Sequence, residues 1–360
     1  AVRYFGQGRG AGARDVFPHD HDHAQYGEGD RNIEKGGFAG AGQGSGGRGA
    51  GDAQFCRADW SGWLCPRRPS RCLGVQPIVE ISVENARERL TTVLQSELPV
   101  VRPPVVFPIV VANHAARVAG ERLRRALTDG GILAELLDHA YRYYQYDLIM
   151  VFGDVLVEAE AMGCAVAMAD DAPPTLVRPA GEEAQIANPE RDGRMGVILD
   201  ATARLVRLAG KEVFVLTSLK GPFSLASFLF GPERFLESLL TAPAPAEFFL
   251  HLATENQKVF AQAIVKRGGV PFIGDPMASG SIVSPAVFQR FALPYLKEMV
   301  AEIHRLGTWT GLHICGETSG ILRMMVETGA EVLSIDEMDL GLIRQKLGKQ
   351  VVIMGNVSTG

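Results

Sequence analysis

The stretch GLHICGETSG, residues 311–320, has the pattern of a buried β-strand that ends in a glycine turn before a helix. Leu312 and Ile314 alternate along it with His313 and Cys315, so the imidazole and the thiol lie on the same face of the strand. Short apolar runs of this kind recur along the chain. We predict strands at 105–112, 147–152, 212–218, 271–275, 310–315, 331–336 and 351–355.

Longer helical patterns fill the intervals between these strands. We predict helices at 84–95, 193–210, 234–241, 284–307 and 318–329. In the helix over 284–307, Ser284 is a predicted N-cap and Pro294 a predicted kink. Strands that are apolar on both faces and joined by helices indicate a parallel sheet.

The number of strand–helix units decides between two parallel α/β architectures. Seven such units predict a (β/α)8 TIM barrel rather than a Rossmann sheet, since no G-x-G-x-x-G follows the first strand. No eighth strand follows the run at 351–355. The predicted fold class is therefore α/β, a TIM barrel truncated after its seventh strand.

The first part of the chain has a different composition. Of the 41 glycines, 17 fall within residues 1–75, and no apolar period runs through this segment. Such a composition cannot bury enough apolar surface to offset the entropy of ordering the chain. We predict a disordered extension over residues 1–78 and the barrel over residues 79–360. The HDHDH run at 19–23 is interpreted as a solvated polar run.

Charge and hydropathy exclude several classes of function. A net charge of −5 offers no basic field to nucleic acid, and no apolar run approaches the roughly 20 residues that span a bilayer. None of the five cysteines forms a C-x-x-C pair, and a signal-peptide pattern is missing at the N-terminus. We expect a cytoplasmic protein that acts on a small molecule and binds neither nucleic acid nor membrane.

Polar side chains gather at the carboxyl ends of the predicted strands, where TIM barrels place their active sites. Any one of them alone has an ordinary structural interpretation, because Asp and Asn at strand ends commonly cap the next helix. Their coincidence at one rim indicates an active site. The residues are Asp154, Asp275, Ser279, Ser281, His313, Cys315, Glu317, Asp336, Glu337 and Asn356.

His313 and Cys315 are the candidate metal ligands. A single buried histidine is more often a core residue, and a single buried cysteine behaves as a small hydrophobe. Together on one face at the catalytic end, they indicate half of a zinc site. Catalytic zinc takes three protein ligands, and no histidine or cysteine follows residue 315. Glu317, Asp336 and the distant Cys164 remain open as the third ligand.

At these residues the chain resembles the uroporphyrinogen decarboxylase superfamily, and in particular its corrinoid (methylcobalamin:coenzyme M) methyltransferase branch. The resemblance runs from about Glu84 to Gly360, and it implies a (β/α)8 barrel with a deep cleft at the carboxyl ends of the strands. The matching stretches are 141–164, 219–231, 274–296, 311–316, 333–337 and 353–357.

The methyltransferase branch carries H-x-C on this strand and a second cysteine near the end of its last strand. His313 and Cys315 match the first two ligands, and the third would lie beyond Gly360. The resemblance implies a zinc ion that activates a thiol substrate, which attacks the methyl group of methylcobalamin presented by a separate corrinoid protein. It implies cleft-lining catalytic roles for Asp154, Asp275 and Ser279. It implies positions around the zinc ligands or the substrate for Asp336, Glu337 and Asn356.

The decarboxylase branch needs no metal and no cofactor, and it is the alternative. Asp154 matches an aspartate that in that branch grips the pyrrole N–H groups. Two differences weaken the match: region 103–120 offers only Arg117 to the carboxylates of the substrate, and Phe228 stands at the position of a substrate-site tyrosine.

We therefore expect a zinc-dependent methyltransferase acting between a corrinoid protein and a thiol-type acceptor. The alternative is uroporphyrinogen decarboxylase, a carboxy-lyase of porphyrin biosynthesis. A further alternative is an inactive fragment.

Overall fold

A computed structural model describes residues 85–95, 102–106, 111–348 and 350–356 of the 360-residue chain. The predicted disordered extension over residues 1–78 lies outside these ranges, as does the histidine run at 19–23. No helix within the described ranges combines the length and apolar character that crossing a bilayer requires.

A parallel sheet of six strands forms the centre of the described structure, in the order β1-β4-β5-β6-β7-β8. A separate antiparallel hairpin, β2–β3, was not predicted. The sheet confirms the α/β class and corresponds to part of a TIM barrel. The strands are β1 Leu148–Val151, β2 Ala165–Ala167, β3 Thr175–Arg178, β4 Phe214–Lys220, β5 Val270–Gly274, β6 Gly311–His313, β7 Val332–Ser334 and β8 Val352–Met354.

Helices follow the parallel strands and cover the sheet, and the predictions at 84–95, 193–210, 234–241 and 318–329 are confirmed. They are α1 Ala86–Leu94, α2 Val111–Ala119, α3 Leu123–Thr128, α4 Gly130–Tyr144, α5 Val157–Ala161, α6 Met195–Ala209, α7 Pro222–Phe230, α8 Pro232–Thr241, α9 Pro243–Lys266, α10 Pro285–Val287, α11 Leu293–Arg305, α12 Leu322–Glu327 and α13 Leu340–Leu347.

The predicted first strand, residues 105–112, is wrong where the structure describes it. Helix α2 begins at Val111, and residues 102–106 adopt no regular secondary structure. The reason lies in the small residues that follow the apolar run: Ala112, Ala115 and Ala116 are all buried, at the spacing of one helical face. An apolar run of β-branched residues therefore leads into a helix here.

The predicted long helix over 284–307 is divided into three parts. The Ser284 side chain caps α10 by accepting a 3.3 Å hydrogen bond from the Val287 N–H, which confirms the N-cap. A π-helical turn, Phe288–Ala292, then precedes α11. Pro294 lies in the first turn of α11, where its missing N–H is tolerated. In place of the expected kink at the proline, the helix has a π turn just before it.

Strand register aligns the carboxyl ends of five strands in one row. Lys220 pairs with Gly274, Gly274 with His313, His313 with Ser334, and Ser334 with Met354. Three residues before Lys220 on β4, the Thr217 hydroxyl lies 2.8 Å from the Thr202 hydroxyl of helix α6, so Lys220 faces away from that helix. The row therefore lies on the face of the sheet opposite to α6.

Candidate functional site

His313 and Cys315 contact each other at the end of β6. The Nε2 atom of His313 lies 3.0 Å from the Cys315 Sγ atom, and its Nδ1 atom lies 3.1 Å from the Ser334 hydroxyl of the adjacent strand. Burial lowers the pKa of His313 and raises the pKa of Cys315. Both shifts favour a neutral imidazole and a protonated thiol in the absence of an ion. Ser334 was not predicted from the sequence, because its role depends on the strand register.

The loop that carries Cys315 packs against the loop that follows β5. The Ser279 hydroxyl donates a 2.6 Å hydrogen bond to the Cys315 carbonyl oxygen, and the Glu317 N–H donates to the Ser281 hydroxyl at 3.0 Å. Gly316 has a φ of +70°, and a Cβ atom there would lie 2.8 Å from the Ser281 Oγ atom. The glycine that closes the sequence motif thus permits this loop contact, and Ser279 fixes the backbone of Cys315.

Asp275 is fully buried and is bound to the start of helix α7. One carboxylate oxygen accepts hydrogen bonds from the Ser224 N–H at 2.7 Å and from its hydroxyl at 2.6 Å, and the other accepts from the Phe223 N–H at 3.3 Å. Burial raises the pKa of Asp275 to about 6, against the opposing effect of these hydrogen bonds and of Lys220. Asp275 therefore positions α7, and with a pKa of about 6 its carboxylate can change charge just below neutral pH.

Asp154 forms a buried ion pair that was not predicted from the sequence. Its carboxylate binds the guanidinium of Arg194 and accepts a 2.9 Å hydrogen bond from the Leu156 N–H. Arg194 also donates from Nε to the Glu160 carboxylate at 2.5 Å. The predicted grip of Asp154 on pyrrole N–H groups would compete directly with this ion pair.

The other predicted site residues differ in their burial and in their contacts. Asp336 is 5% exposed, and neither of its carboxylate oxygens has a hydrogen-bond partner among the described residues. Glu337 is exposed, and the side-chain amide of Asn356 donates to the Met338 carbonyl oxygen. The carbonyl oxygen of Phe228, on α7, accepts a 3.6 Å contact from the Cys164 Sγ atom. Cys164 is therefore engaged with α7 rather than with His313.

Lys220 is a buried cation that was also not predicted from the sequence. Its ammonium group lies 5.3 Å from the centre of the Phe152 ring. The backbone N–H of Lys220 donates a 2.7 Å hydrogen bond to the Glu158 carboxylate, and its backbone carbonyl oxygen accepts a 2.6 Å hydrogen bond from the side-chain amide of Gln257. Asp154, Glu158 and Lys220 line a cavity of about 10 Å³, which is room for one water molecule.

Burial controls the charges around this cavity. It lowers the pKa of the Lys220 ammonium, opposed first by Glu158 and then by Asp275. It also raises the pKa of Glu158. The strand predicted at 212–218 ended two residues before Lys220. The signal that could have found the residue is a lysine inside an apolar run directly before Gly221 and the start of a helix.

Zinc requires its donor atoms to lie at defined distances from one another. Zn–N bonds of about 2.0–2.1 Å and Zn–S bonds of about 2.3 Å at a tetrahedral angle separate the two donor atoms by about 3.6 Å. The His313 and Cys315 donors lie 3.0 Å apart, so a small side-chain rotation would accommodate the ion. In the described part of the chain, no three His, Cys, Asp or Glu side chains stand close enough together to hold a metal. The imidazole–thiol pair and the unpaired Asp336 carboxylate are donors of the types that zinc takes.

The six parallel strands follow one another across the sheet in chain order, with polar residues gathered at their carboxyl ends, which is the arrangement of part of a TIM barrel. The chain belongs to the uroporphyrinogen decarboxylase (URO-D) family, which matches residues 85–360. The predicted superfamily is thereby confirmed.

Its relatives include enzymes of two kinds. The methylcobamide:CoM methyltransferase MtbA of Methanosarcina acetivorans is 28% identical over 280 residues, which cover 75% of this chain and 82% of the relative. A uroporphyrinogen decarboxylase of Myxococcus xanthus is 28% identical over 223 residues, which cover 59% of this chain and 63% of the relative. The solved structure of a methyltransferase from Methanosarcina mazei superimposes with a TM-score of 0.70 at 26% identity, covering 76% of this chain and 83% of that one.

Proposed function

We propose that this protein transfers a methyl group from a corrinoid protein to a thiol-type acceptor, with a zinc ion held by His313 and Cys315. The observation that carries the proposal is the 3.0 Å contact between His313 Nε2 and Cys315 Sγ at the carboxyl end of β6. The names of the methyltransferase relatives support the choice of methyl donor.

Contacts from Ser334 and Ser279 orient the His313–Cys315 pair for metal binding. If His313 Nε2 bound the ion, Nδ1 would carry the ring proton and would donate a hydrogen bond to the Ser334 hydroxyl, which would fix the ring orientation. The buried environment favours the neutral imidazole, which is the form that binds metals. Ser279 restrains the backbone of Cys315 through the carbonyl oxygen. The pair is thus oriented from both sides.

Zinc, when bound, supplies a Lewis acid that lowers the pKa of an acceptor thiol and makes it nucleophilic at neutral pH. The chain itself contributes the position of that thiol. Gly274 lies between Lys220 and His313 on the strand that separates them. Because glycine has no side chain, no Cβ atom stands between the lysine and the histidine. A Cβ at Gly274 would lie 3.8 Å from the Lys220 Nζ atom. An acceptor thiol held at His313 would therefore lie across Gly274 from the buried ammonium group of Lys220.

Decarboxylation of uroporphyrinogen has weaker support. Asp154 is engaged by Arg194, and Phe228 has no hydroxyl group to offer a substrate. A substrate that carries many carboxylates needs several cationic partners. The alternative predicts turnover of uroporphyrinogen III without added metal.

The test is a methyl-transfer assay with the zinc-loaded chain, methylcobalamin as donor and a small thiol as acceptor. We expect transfer by the wild-type chain and its loss in Cys315→Ser, while Ser319→Ala, an exposed serine of the loop that follows Cys315, retains activity. Formation of coproporphyrinogen from uroporphyrinogen III, with no methyl transfer, would refute the proposal in favour of the decarboxylase.

A further inference from the structure

Lys220 carries a buried cation without a direct partner in the described residues. The residue ends β4 and is 4% exposed. Both of its hydrogen bonds come from the backbone, and its ammonium group forms no hydrogen bond or ion pair with any described residue. Burying an unpaired charge is costly, so folded chains rarely keep one without a use for it. The buried ammonium group therefore indicates an anionic partner that binds in the cleft.

The carboxylates nearest to the ammonium group are engaged by other groups. Asp275 is hydrogen bonded to the start of helix α7. Asp154 forms its ion pair with Arg194. Glu158 accepts a hydrogen bond from the backbone N–H of Lys220 and not from its side chain. The charges of these carboxylates and of Cys315 act on the ammonium group, yet none of the four forms an ion pair with it.

The ammonium group reaches across β5 towards the end of β6. Lys220 pairs with Gly274, and Gly274 pairs with His313. A Cβ atom at Gly274 would lie 3.8 Å from the Lys220 Nζ atom, so the ammonium group stands beside β5 on the face that carries His313. Adjacent strands lie about 4.8 Å apart, so His313 and Cys315 are only one strand further on.

A thiol at the end of β6 already responds to this charge. Burial and the charge of Asp336 raise the pKa of the Cys315 thiol, and the charge of Lys220 lowers it. A positive charge favours the thiolate form of any thiol within its reach. An acceptor thiol held beside His313 and Cys315 would experience the same effect.

We propose that the Lys220 ammonium group is a catalytic cation that stabilises the thiolate of the methyl acceptor. The inference rests on the proposed function, because it concerns the same acceptor, and it assigns no ligand of the ion. The acceptor S–H bond breaks, the proton passes to solvent water, and the electron pair stays on the sulfur beside the ammonium group, which keeps its own proton. Methyl transfer then leaves a neutral thioether, which has no charge for Lys220 to stabilise.

The first test is the affinity of the zinc-loaded 360-residue chain for ethanethiol at neutral pH, measured by calorimetry without a methyl donor. Opposite charges about one strand spacing apart attract strongly in a buried site, so we expect Lys220→Met to weaken binding by about tenfold or more. Lys220→Arg keeps the charge and should stay within about threefold of wild type. The matched control is Lys211→Met, which removes an exposed lysine just before β4 and should bind as wild type does.

Circular dichroism verifies that each variant is folded. If Lys220→Met fails to fold, Lys220→Gln removes the same charge with a polar side chain, and the same loss of ethanethiol affinity is expected.

The second test separates a lost charge from a damaged site. Ethanethiol and 2,2,2-trifluoroethanethiol are similar in size, but the fluorinated thiol is the stronger acid and ionises without help. We expect Lys220→Met to lower kcat for methyl transfer to ethanethiol by about tenfold or more, and kcat with the fluorinated thiol by less than about threefold. A purely structural role would lower both kcat values equally.

The outcomes separate this inference from the proposed function. Equal losses with the two thiols, or an ethanethiol affinity unchanged in Lys220→Met, overturn the role of Lys220 while methyl transfer by the wild-type chain stands. Affinity that is lost in Lys220→Met and kept in Lys220→Arg, without any methyl transfer from methylcobalamin, supports the thiolate interaction and refutes the proposed function. A wild-type chain that neither binds ethanethiol nor transfers a methyl group overturns both.

Discussion

The Ser279 hydroxyl donates a 2.6 Å hydrogen bond to the carbonyl oxygen of Cys315, which couples the loop after β5 to the thiol at the end of β6. Ser279 is buried, and its Oγ atom also accepts from the Ser281 N–H at 3.2 Å. The thiol therefore owes part of its position to a hydroxyl 36 residues earlier in the chain.

Ser279→Ala removes this link. We expect a loss of about 1–3 kcal/mol in the free energy of unfolding, since the partly buried carbonyl oxygen of Cys315 loses its partner. Urea denaturation measures the change. Ser281→Ala is the matched control, because Ser281 is exposed and water can replace its hydroxyl, so we expect a change within about 0.5 kcal/mol. Equal losses in the two variants would contradict the role given to Ser279.

Gly221 is required by the approach of Asp275 rather than by its backbone angles. A Cβ atom there would lie 2.2 Å from the Asp275 carboxylate, while its φ of −65° is open to any residue. We expect Gly221→Ala to destabilise the fold by more than about 2 kcal/mol. Gly274→Ala is the control: its Cβ would meet no atom closer than 3.8 Å, so its effect should stay within about 1 kcal/mol. Thermal unfolding compares the two, and equal destabilisation would refute the steric explanation.

Asp275 predicts a specific dependence of stability on pH. Burial raises its pKa from the ordinary 3.8 to about 6, so between these values the folded state holds a proton that the unfolded state has released. The contribution of Asp275 to stability is therefore largest below about pH 4 and is lost as the pH rises towards 6, by an amount on the order of 3 kcal/mol.

The measurement is the free energy of unfolding between pH 4 and pH 7 for the wild-type chain and for Asp275→Asn. The difference between the two curves isolates the aspartate, because the other titrating groups are shared. We expect the wild type to lose stability relative to the variant as the pH rises. A difference that is constant across this range would show that the pKa of Asp275 is not raised.

Lys220 is predicted to shift the pH range, here called the window, over which Asp275 changes the stability of the fold. Its positive charge lowers the pKa of Asp275 against the effect of burial, so Lys220→Met should move the pH-dependent loss of stability to higher pH. Lys211→Met, which removes an exposed lysine just before β4, should leave the window in place. If the window is unchanged in Lys220→Met, the ammonium group of Lys220 does not affect the pKa of Asp275.

The sequence was sufficient for the features that depend on periodicity. Six of the seven predicted strands form the parallel sheet, because apolar runs between helical patterns are typical of strands buried on both faces. The exception, residues 105–112, failed because a β-branched run preceded alanines at helical spacing, and burial of those alanines decided in favour of helix α2. Local propensity did not determine the structure there.

The candidate site was only partly predictable. The shared face of His313 and Cys315 follows from strand geometry, and their 3.0 Å contact agrees with it. Partners from other strands and helices could not be found, since they depend on register and tertiary packing. Arg194 on Asp154, Ser334 on His313 and the buried Lys220 are of this kind. Asp275 was predicted in the cleft, and its hydrogen bonds to the start of α7 add a structural role that one strand end alone could not indicate.

The measurement that tests the central claim most directly is X-ray absorption at the zinc edge of the zinc-loaded chain, in buffer free of added thiols. With His313 and Cys315 as ligands, we predict one sulfur at about 2.3 Å and the remaining ligands as nitrogen or oxygen at about 2.0–2.2 Å, with the sulfur lost in Cys315→Ser. A zinc shell without sulfur in the wild-type chain, or one unchanged in Cys315→Ser, would contradict the proposed site.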